Sequence, residues 1–233
     1  MPKTGKDELM TPQKKTGIFD LDGTLADTSG DLIMAANHCF KLMGYRALLD
    51  KAKDAPTALR GGRAMLRCGL SRQNALDEDL VDRYYPVLLS AYERALSDNT
   101  YLFPKVREVV QTLGESGYIL GICTNKPVGL AEQLMHEIEF RAPFLSLIGA
   151  DSLTVRKPDP RPFVEAVRLA GGDVKLSCLI GDSVTDLDTA RAAGVPSILV
   201  DFGLADQDIA VLQPDALITS FDQVPQALEK VGL

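Results

Sequence analysis

The stretch GIFDLDGTLADT, residues 17–28, decides how the rest of the chain is interpreted. An apolar run leads directly into Asp20 and Asp22, with a single leucine between the two aspartates. Each carboxylate makes it more costly to bury and ionise the other. The end of a buried strand is therefore an unfavourable place for this pair, unless a cation or a chemical role offsets the repulsion.

Composition excludes several classes of function. The chain has 233 residues, with 32 acidic and 25 basic side chains and a formal net charge of -7. This charge disfavours nonspecific binding to nucleic acid or to an anionic membrane. No apolar run is long enough to span a bilayer. We expect a cytoplasmic protein, a monomer or a homodimer, with no nucleic-acid or membrane partner.

Short apolar runs alternate with helix-like stretches over most of the chain. Besides the opening stretch, the runs lie at 117–125, 144–152, 175–183, 196–202 and 215–220. Strands that are apolar on both faces and alternate with helices are typical of a parallel sheet. The pattern predicts an α/β fold, a Rossmann-like parallel sheet core with helices on both faces.

One section breaks the alternation. Residues 28–100 show amphipathic helical patterns and no convincing strand. We therefore predict an all-helical cap, residues 28–100, inserted after the first strand. The core would then comprise residues 16–27 and 101–233, and residues 1–15 would form a flexible N-terminal tail.

Residues that follow the predicted strands form the candidate site, because ligands of parallel α/β sheets bind beyond the carboxyl ends of the strands. In chain order these residues are Asp20, Asp22, Gly23, Thr24, Thr124, Asn125, Lys157, Asp182, Ser183 and Asp186. Carboxylates without a histidine or thiol partner suit Mg²⁺, while a lysine with neutral donors suits phosphoryl oxygens. A carboxylate can also accept a phosphoryl group as a nucleophile. Lys126 is interpreted as a solvent-exposed lysine without a role.

Four strings carry a family resemblance. DLDGTLADT, ICTNK, RKPDP and GDSVTDLDTA resemble, in order and spacing, the motifs of the haloacid dehalogenase superfamily of phosphohydrolases, and the resemblance covers residues 15–233. It implies that Asp20 is a nucleophile that forms an aspartyl-phosphate and that Asp22 acts as general acid and then as general base. It also implies a Mg²⁺ ion held by Asp20, the carbonyl oxygen of Asp22 and Asp182, with Asp186 as a ligand or as a support behind the ligands.

The same resemblance implies how a phosphoryl group is bound. Thr124 and Lys157 would contact its oxygens and Asn125 would support them, with help from backbone amides near Gly23 and Thr24. The helical cap would close over the site and exclude bulk water. The partner would be a small phosphorylated metabolite.

Within the superfamily, the strings GTLADTSGDL, FPKVREVVQTL, ADSLTVRKPDPRPF and PDALITSFDQVPQAL resemble the group of phosphoglycolate phosphatases. This implies hydrolysis of 2-phosphoglycolate to glycolate and phosphate, with Arg60 or Arg63 as a candidate for binding the carboxylate of the substrate. The chain departs from the group in two places. Lys105 follows Pro104 where a glycine is common, and the turn at residues 60–63 differs from the usual glycine pattern.

Other interpretations remain open at this point. One is a phosphatase for another small phosphoester, and another is a mutase that moves phosphate within a hexose on the same scaffold. A third is a catalytically silent interaction protein that binds phosphate and Mg²⁺. Bacterial receiver domains also combine acidic residues with a threonine or serine and a lysine, but they are much shorter and lack the DxDGT string. Release of inorganic phosphate would separate a phosphatase from a mutase.

Overall fold

The centre of the fold is a six-stranded sheet. The computed structural model describes residues 14–202 and 209–233. Its strands are β1 (Thr16–Phe19), β2 (Ala26–Asp27), β3 (Tyr101–Leu102), β4 (Ile119–Cys123), β5 (Ser146–Ile148), β6 (Ser177–Gly181), β7 (Ser197–Val200) and β8 (Ala216–Ile218). Six of them form the order β5-β4-β1-β6-β7-β8, and all neighbouring pairs are parallel. The predicted parallel sheet is confirmed, because each predicted apolar run contains or overlaps one of these strands.

The helices form two groups along the chain. In the described residues they are α1 (Ser29–Leu42), α2 (Lys51–Leu59), α3 (Gly62–Arg72), α4 (Glu78–Glu93), α5 (Val106–Glu115), α6 (Val128–Glu137), α7 (Arg161–Ala170), α8 (Val184–Ala193) and α9 (Val224–Lys230). Short 3-10 helices span Val174–Leu176, Ile209–Leu212 and Phe221–Gln223. The first four helices lie between β2 and β3, and the other five alternate with strands. No helix in the described ranges combines the length and apolarity needed to cross a bilayer.

Helices cover both faces of the sheet. Successive side chains of a strand point to opposite faces. Ile18 of β1 packs in a buried cluster with Phe163 and Val167 of α7, whereas Phe19 belongs to a different buried cluster that contains Val109 of α5. Burial on both faces explains why the strands appear in the sequence as continuous apolar runs.

The strand ends are aligned by the register of the sheet. Phe19 at the end of β1 lies opposite Ile122 of β4 and Ile180 of β6. The residues that follow these three strands therefore emerge at the same edge of the sheet. This edge carries Asp20 after β1 and Asp182 after β6.

A short antiparallel ribbon links the sheet to the helical insertion. Ala26 of β2 lies opposite Leu102 of β3, and Asp27 lies opposite Tyr101. The Tyr101 hydroxyl donates to Oδ2 of Asp27 at 2.7 Å. The sequence pattern did not predict this ribbon, because two residues are too few to show an alternation. Helix α2 lies within the segment that was predicted to be helical, although its sequence KAKDAPTAL contains a proline.

The helices α1–α4 occupy the segment that we call the cap, residues 28–100. The assignment of this segment as a separate domain that closes over the site stays a prediction. The flexible tail predicted over residues 1–15 lies outside the described residues as far as residue 13.

Candidate active site

The loop after β1 packs against the end of β6 and against Asp182. The backbone N–H of Asp20 donates to the carbonyl oxygen of Ile180 at 2.8 Å, which holds the loop against the end of β6. Gly23 has a φ of +86°, and a Cβ atom there would lie 2.4 Å from Oδ2 of Asp182. Both the left-handed backbone and the close approach of the carboxylate require glycine at this position.

Two polar residues orient the carboxylates that follow β6. The Thr24 hydroxyl donates to Oδ1 of Asp182 at 3.1 Å. Asp186 forms a capping box with Ser183 at the first turn of α8, and its Oδ2 accepts the Ser183 hydroxyl at 2.6 Å. Gly181 leaves room for this arrangement, since a Cβ atom there would lie 2.3 Å from Cγ of Asp186. Thr24 and Asp186 are thus buried supports behind the cavity wall.

Lys157 joins the two loops. Its Nζ lies 3.1 Å from Oδ1 of Asp20 and 2.5 Å from Oδ1 of Asp186, and its side chain is 1% exposed. Burial alone disfavours the ammonium, but attraction from the two carboxylates outweighs it and raises the pKa of Lys157. The prediction that Lys157 belongs with the aspartates is consistent with this geometry.

The attraction of Lys157 does not fully offset the burial and the mutual repulsion of the carboxylates Asp20 and Asp182. Burial raises the pKa of the Asp20 carboxyl to about 6; Lys157 opposes the shift, whereas Asp186 and Asp22 add to it. Burial, together with repulsion from Asp186 and Asp20, also raises the pKa of Asp182. A cation at this place would relieve both the desolvation and the repulsion.

The donor set fits a hard divalent cation. Asp20, Asp182 and Asp186 each offer a carboxylate oxygen, and these oxygens lie within 4.8 Å of one another. Oxygen donors without nitrogen or sulfur are the ligands that Mg²⁺ prefers. Both oxygens of Asp186 already accept hydrogen bonds, from Lys157 and from Ser183. Asp20 and Asp182 are therefore better placed to bind an ion directly.

Asp22 stands apart from this cluster. Its Oδ1 accepts the Thr28 hydroxyl at 2.5 Å and Nζ of Lys126 at 2.7 Å. The interpretation of Lys126 as solvent-exposed is wrong, because the residue is only 6% exposed. Burial opposes its charge, but Asp22 and Tyr92 outweigh burial and raise the pKa of Lys126. The position directly after Thr124-Asn125 at a strand end was the one signal in the sequence for this lysine.

The other predicted phosphate ligands, Thr124, Asn125, Gly23 and Thr24, form hydrogen bonds within the protein. Thr124 is buried, and its hydroxyl oxygen accepts the backbone N–H of Lys126 at 3.1 Å. The Asn125 side chain donates to the carbonyl oxygen of Lys157 at 3.1 Å and so holds the lysine-bearing loop. The backbone amides of Gly23 and Thr24 donate to carbonyl oxygens within their own loop. Phosphate binding by these two amides stays a prediction without a contact in its favour.

The cavity lies between the sheet edge and the cap. Its volume is about 760 Å³, and its wall includes Asp20, Asp22, Thr124, Lys126, Lys157 and Asp182 from the core. The cap contributes Arg60, Arg63, Tyr85 and Tyr92. The predicted catalytic, metal and substrate residues therefore share one cavity, apart from the supports behind its wall.

The two predicted cap arginines already have partners. Arg63 forms an ion pair with Asp82, and its guanidinium lies 4.3 Å from the centroid of the Tyr85 ring. Arg60 donates to the hydroxyl of Thr57 at 3.2 Å. Binding of a substrate carboxylate by either arginine stays a prediction.

Tyr92 of α4 was not identified from the sequence. Its ring centroid lies 4.6 Å from Nζ of Lys126, so an aromatic residue of the cap rests on a lysine of the core. The residue is 1% exposed, and burial raises the pKa of its hydroxyl to about 12. In the described part of the chain the O–H of this buried hydroxyl finds no acceptor, since the Lys126 ammonium beside it can only donate.

Known proteins resemble this chain over nearly its whole length. Residues 17–200 match the family model described as haloacid dehalogenase-like hydrolase. The phosphoglycolate phosphatase of Mesorhizobium japonicum is 38% identical over 206 residues, which cover 88% of this chain and 90% of the relative. The phosphoglycolate phosphatase of Caulobacter vibrioides is 37% identical over 215 residues, with 91% and 90% covered.

A solved structure has a similar fold. The crystal structure of a predicted phosphoglycolate phosphatase from Haemophilus somnus matches with a TM-score of 0.78 and 26% identity, over 93% of this chain and 98% of that one. The fold, the four motifs at one sheet edge and the similarity to these relatives all indicate the same family. The chain belongs to the haloacid dehalogenase-like hydrolase family.

Proposed function

We propose that this chain is a Mg²⁺-dependent phosphatase that hydrolyses 2-phosphoglycolate to glycolate and phosphate through an aspartyl-phosphate. The names of the relatives support the substrate, since two phosphoglycolate phosphatases are 37% and 38% identical to the chain over most of its length. The observation that carries the chemistry is the pair of aspartates after β1. Asp20 contacts Lys157 and lies in the carboxylate cluster, whereas Asp22 faces Lys126 instead.

In the first step, an oxygen of Asp20 attacks phosphorus and the bond between phosphorus and the ester oxygen breaks. The Lys157 ammonium, 3.1 Å from Asp20, would also attract the oxygens of the transferred group and so reduce the repulsion between two anions. Thr124, on the same cavity wall, is the proposed hydroxyl donor to those oxygens.

Asp22 is the proposed proton donor to the leaving glycolate oxygen. A carboxyl group in reach of the ester oxygen can supply this proton and, once ionised, can accept a proton from water. That water attacks phosphorus of the aspartyl-phosphate, and the bond to the Asp20 oxygen breaks to release phosphate. Two carboxyl groups with different neighbours can thus perform two different roles.

Mg²⁺ would be held by Asp20 and Asp182, with the carbonyl oxygen of Asp22 as a further proposed ligand and Asp186 behind them. When bound, the ion supplies charge neutralisation for the anionic nucleophile and phosphoryl group. The aspartates and Lys157 position the reacting groups, and a closed cap would exclude water from them. Cytoplasmic location and a monomeric or homodimeric state stay predictions.

Phosphate release from a panel of esters tests the proposal. We expect wild-type protein to prefer 2-phosphoglycolate over hexose phosphates and nucleoside monophosphates in Mg²⁺, and to lose activity in EDTA. Asp20→Asn should lower turnover about 10³-fold or more, since it removes the nucleophile. Asp173→Asn is the matched control, because Asp173 is exposed and precedes β6 at the opposite edge of the sheet.

Three results would contradict the proposal in different ways. Activity spread over other small esters would keep the mechanism and refute the substrate. Turnover of a hexose phosphate without phosphate release would indicate a mutase. Equal activity of Asp20→Asn and Asp173→Asn would refute the aspartyl-phosphate.

A further inference from the structure

One polar pair at the junction of core and cap has no role in the proposed chemistry. Lys126 follows β4 in the core, Tyr92 lies in α4 of the cap, and both line the cavity. They are 6% and 1% exposed, and the ammonium lies 4.6 Å from the centroid of the ring. A lysine and a tyrosine from separate parts of the chain are thus buried together beside Asp22.

Both side chains have hydrogen-bonding capacity to spare. An ammonium carries three N–H donors, and Asp22 accepts one of those of Lys126 at 2.7 Å. The O–H of Tyr92 has no acceptor within hydrogen-bonding geometry in the described ranges of the chain, and the Lys126 ammonium that interacts with this hydroxyl can only donate. Buried polar groups are nearly always hydrogen-bonded, and an unpaired one requires an explanation. A ligand with an anionic acceptor would satisfy both groups.

The chemistry of the proposed substrate places such an acceptor here. In 2-phosphoglycolate, a single methylene group separates the ester oxygen from the carboxylate carbon. The ester oxygen has to lie within hydrogen-bond reach of Asp22 to receive its proton. The carboxylate must then lie close to the groups that surround Asp22, and Lys126 is a cation in direct contact with that residue.

Two of the cap arginines on the cavity wall are less suitable, because each already has a carboxylate partner. Arg63 and Arg67 are 40% and 45% exposed, and each is neutralised by an acidic residue of α4. A cation that already has a carboxylate partner must lose it before it binds another. Lys126 instead keeps donors beside a hydroxyl that lacks an acceptor.

We propose that Lys126 and Tyr92 form the subsite that binds the carboxylate of the leaving group, which accepts an N–H of Lys126 and the O–H of Tyr92. The inference rests on the proposed hydrolysis of 2-phosphoglycolate and adds the residues that select it. Because Tyr92 belongs to the cap and Lys126 to the core, the bound carboxylate connects the two.

Two substrates of similar size separate carboxylate recognition from general catalysis. We would measure kcat and KM for 2-phosphoglycolate and for 2-hydroxyethyl phosphate, which carries a hydroxymethyl group in place of the carboxylate. Tyr92→Phe removes one oxygen and keeps the ring over Lys126. We expect kcat/KM for 2-phosphoglycolate to fall about 10-fold, mostly through KM, and the value for 2-hydroxyethyl phosphate to stay nearly constant.

Lys126→Met provides the second variant. Loss of its contact with Asp22 should lower kcat for both esters, and loss of the carboxylate contact should lower kcat/KM for 2-phosphoglycolate by a further factor of about 10–100. Tyr85→Phe is the matched control, because Tyr85 lies on the same helix and the same cavity wall. Thermal melting of each variant verifies that it is folded.

The outcomes separate the two proposals. Selective loss in Tyr92→Phe and Lys126→Met, but not in Tyr85→Phe, supports the subsite. Equal losses on both esters would mean that the pair only positions Asp22, and would overturn the subsite. Selective loss in Arg60→Met or Arg63→Met instead would also overturn it. A wild-type preference that persists in both variants overturns the subsite alone, whereas wild-type protein without any preference overturns the proposed substrate as well.

Discussion

Positive charge is held in different ways in the core and in the cap. The side chains of Lys126 and Lys157 in the core are 3% and 1% exposed and contact the carboxylates of the candidate site. Arg63 and Arg67 on α3 of the cap are 40% and 45% exposed and pair with acidic residues of α4. Four cations near one cavity therefore divide into a buried pair and an exposed pair.

The buried and the exposed pairs differ in the free-energy cost of removing one partner. Water solvates either member of an exposed pair, so such a pair contributes little to stability. A buried charge has no such alternative, and removal of its partner leaves it uncompensated. The core pairs thus place buried cations against the carboxylates of the candidate site, whereas the cap pairs join two helices.

The largest expected difference comes from removing one cation from each group. Lys157→Met should lower the free energy of unfolding by about 3–5 kcal/mol at neutral pH in EDTA, because Asp20 and Asp186 lose their buried counter-charge. Arg67→Met should leave unfolding nearly unchanged, since its pair with Glu78 is exposed. Urea unfolding of both variants is the measurement. Similar losses in the two would show that burial does not distinguish the pairs.

The pH dependence of stability sharpens the same comparison. The pKa of Asp20 is about 6 in the folded protein, against an ordinary 3.8, so the folded state holds a proton that the unfolded state releases. In metal-free protein this contribution is complete below pH 4 and is lost as pH rises through about 6. The loss should be on the order of 2–3 kcal/mol.

Urea unfolding in EDTA at pH 4 to 7 would measure the slope of the free energy of unfolding against pH. Asp20→Asn should flatten it, because the amide does not titrate. Added Mg²⁺ should restore stability at pH 7 in wild-type protein more than in Asp20→Asn. A wild-type free energy of unfolding that changes between pH 4 and 7 in the same way as that of Asp20→Asn would contradict the raised pKa of Asp20.

The smallest expected effect concerns Lys105, where backbone conformation outweighs charge. Its φ is +71°, a left-handed conformation that favours glycine, and its ammonium pairs with Glu108 at the surface. Lys105→Gly should raise the midpoint of thermal unfolding by about 2 °C, as relief of strain exceeds the extra freedom of glycine in the unfolded chain. Lys105→Ala is the control, since it removes the ion pair and keeps the strain. A midpoint raised equally in both variants would refute the conformational explanation.

Much of the fold was predictable because burial on two faces leaves a strong pattern. The run at 175–183 contains β6, and the run at 117–125 contains β4. The ribbon of β2 and β3 was not predictable, since its pairing joins residues 26–27 to residues 101–102 and neither segment has a periodicity of its own. The expectation of glycine after Pro104 now has a structural reason in the left-handed backbone of Lys105.

The candidate site divides in the same way. Asp20, Lys157 and Asp182 could be placed together because each follows a strand of a parallel sheet. Lys126 also follows such a strand, but its burial depends on Asp22, which lies 104 positions away along the chain, and on Tyr92 in the cap. The pattern around Tyr92 indicated only an amphipathic helix, and nothing in it showed which side chain would face the core.

The amino-acid sequence alone determined the alternation of the six sheet strands with helices, the sheet edge at which the four motifs meet and the carboxylates that lie there. These properties follow from local apolar patterns and from the rule that parallel strands end at one edge. Only the tertiary structure decided which cations are buried and which hydroxyl lacks an acceptor. The exposure of a side chain depends on what packs over it, and for Lys126 that partner is a tyrosine of the cap.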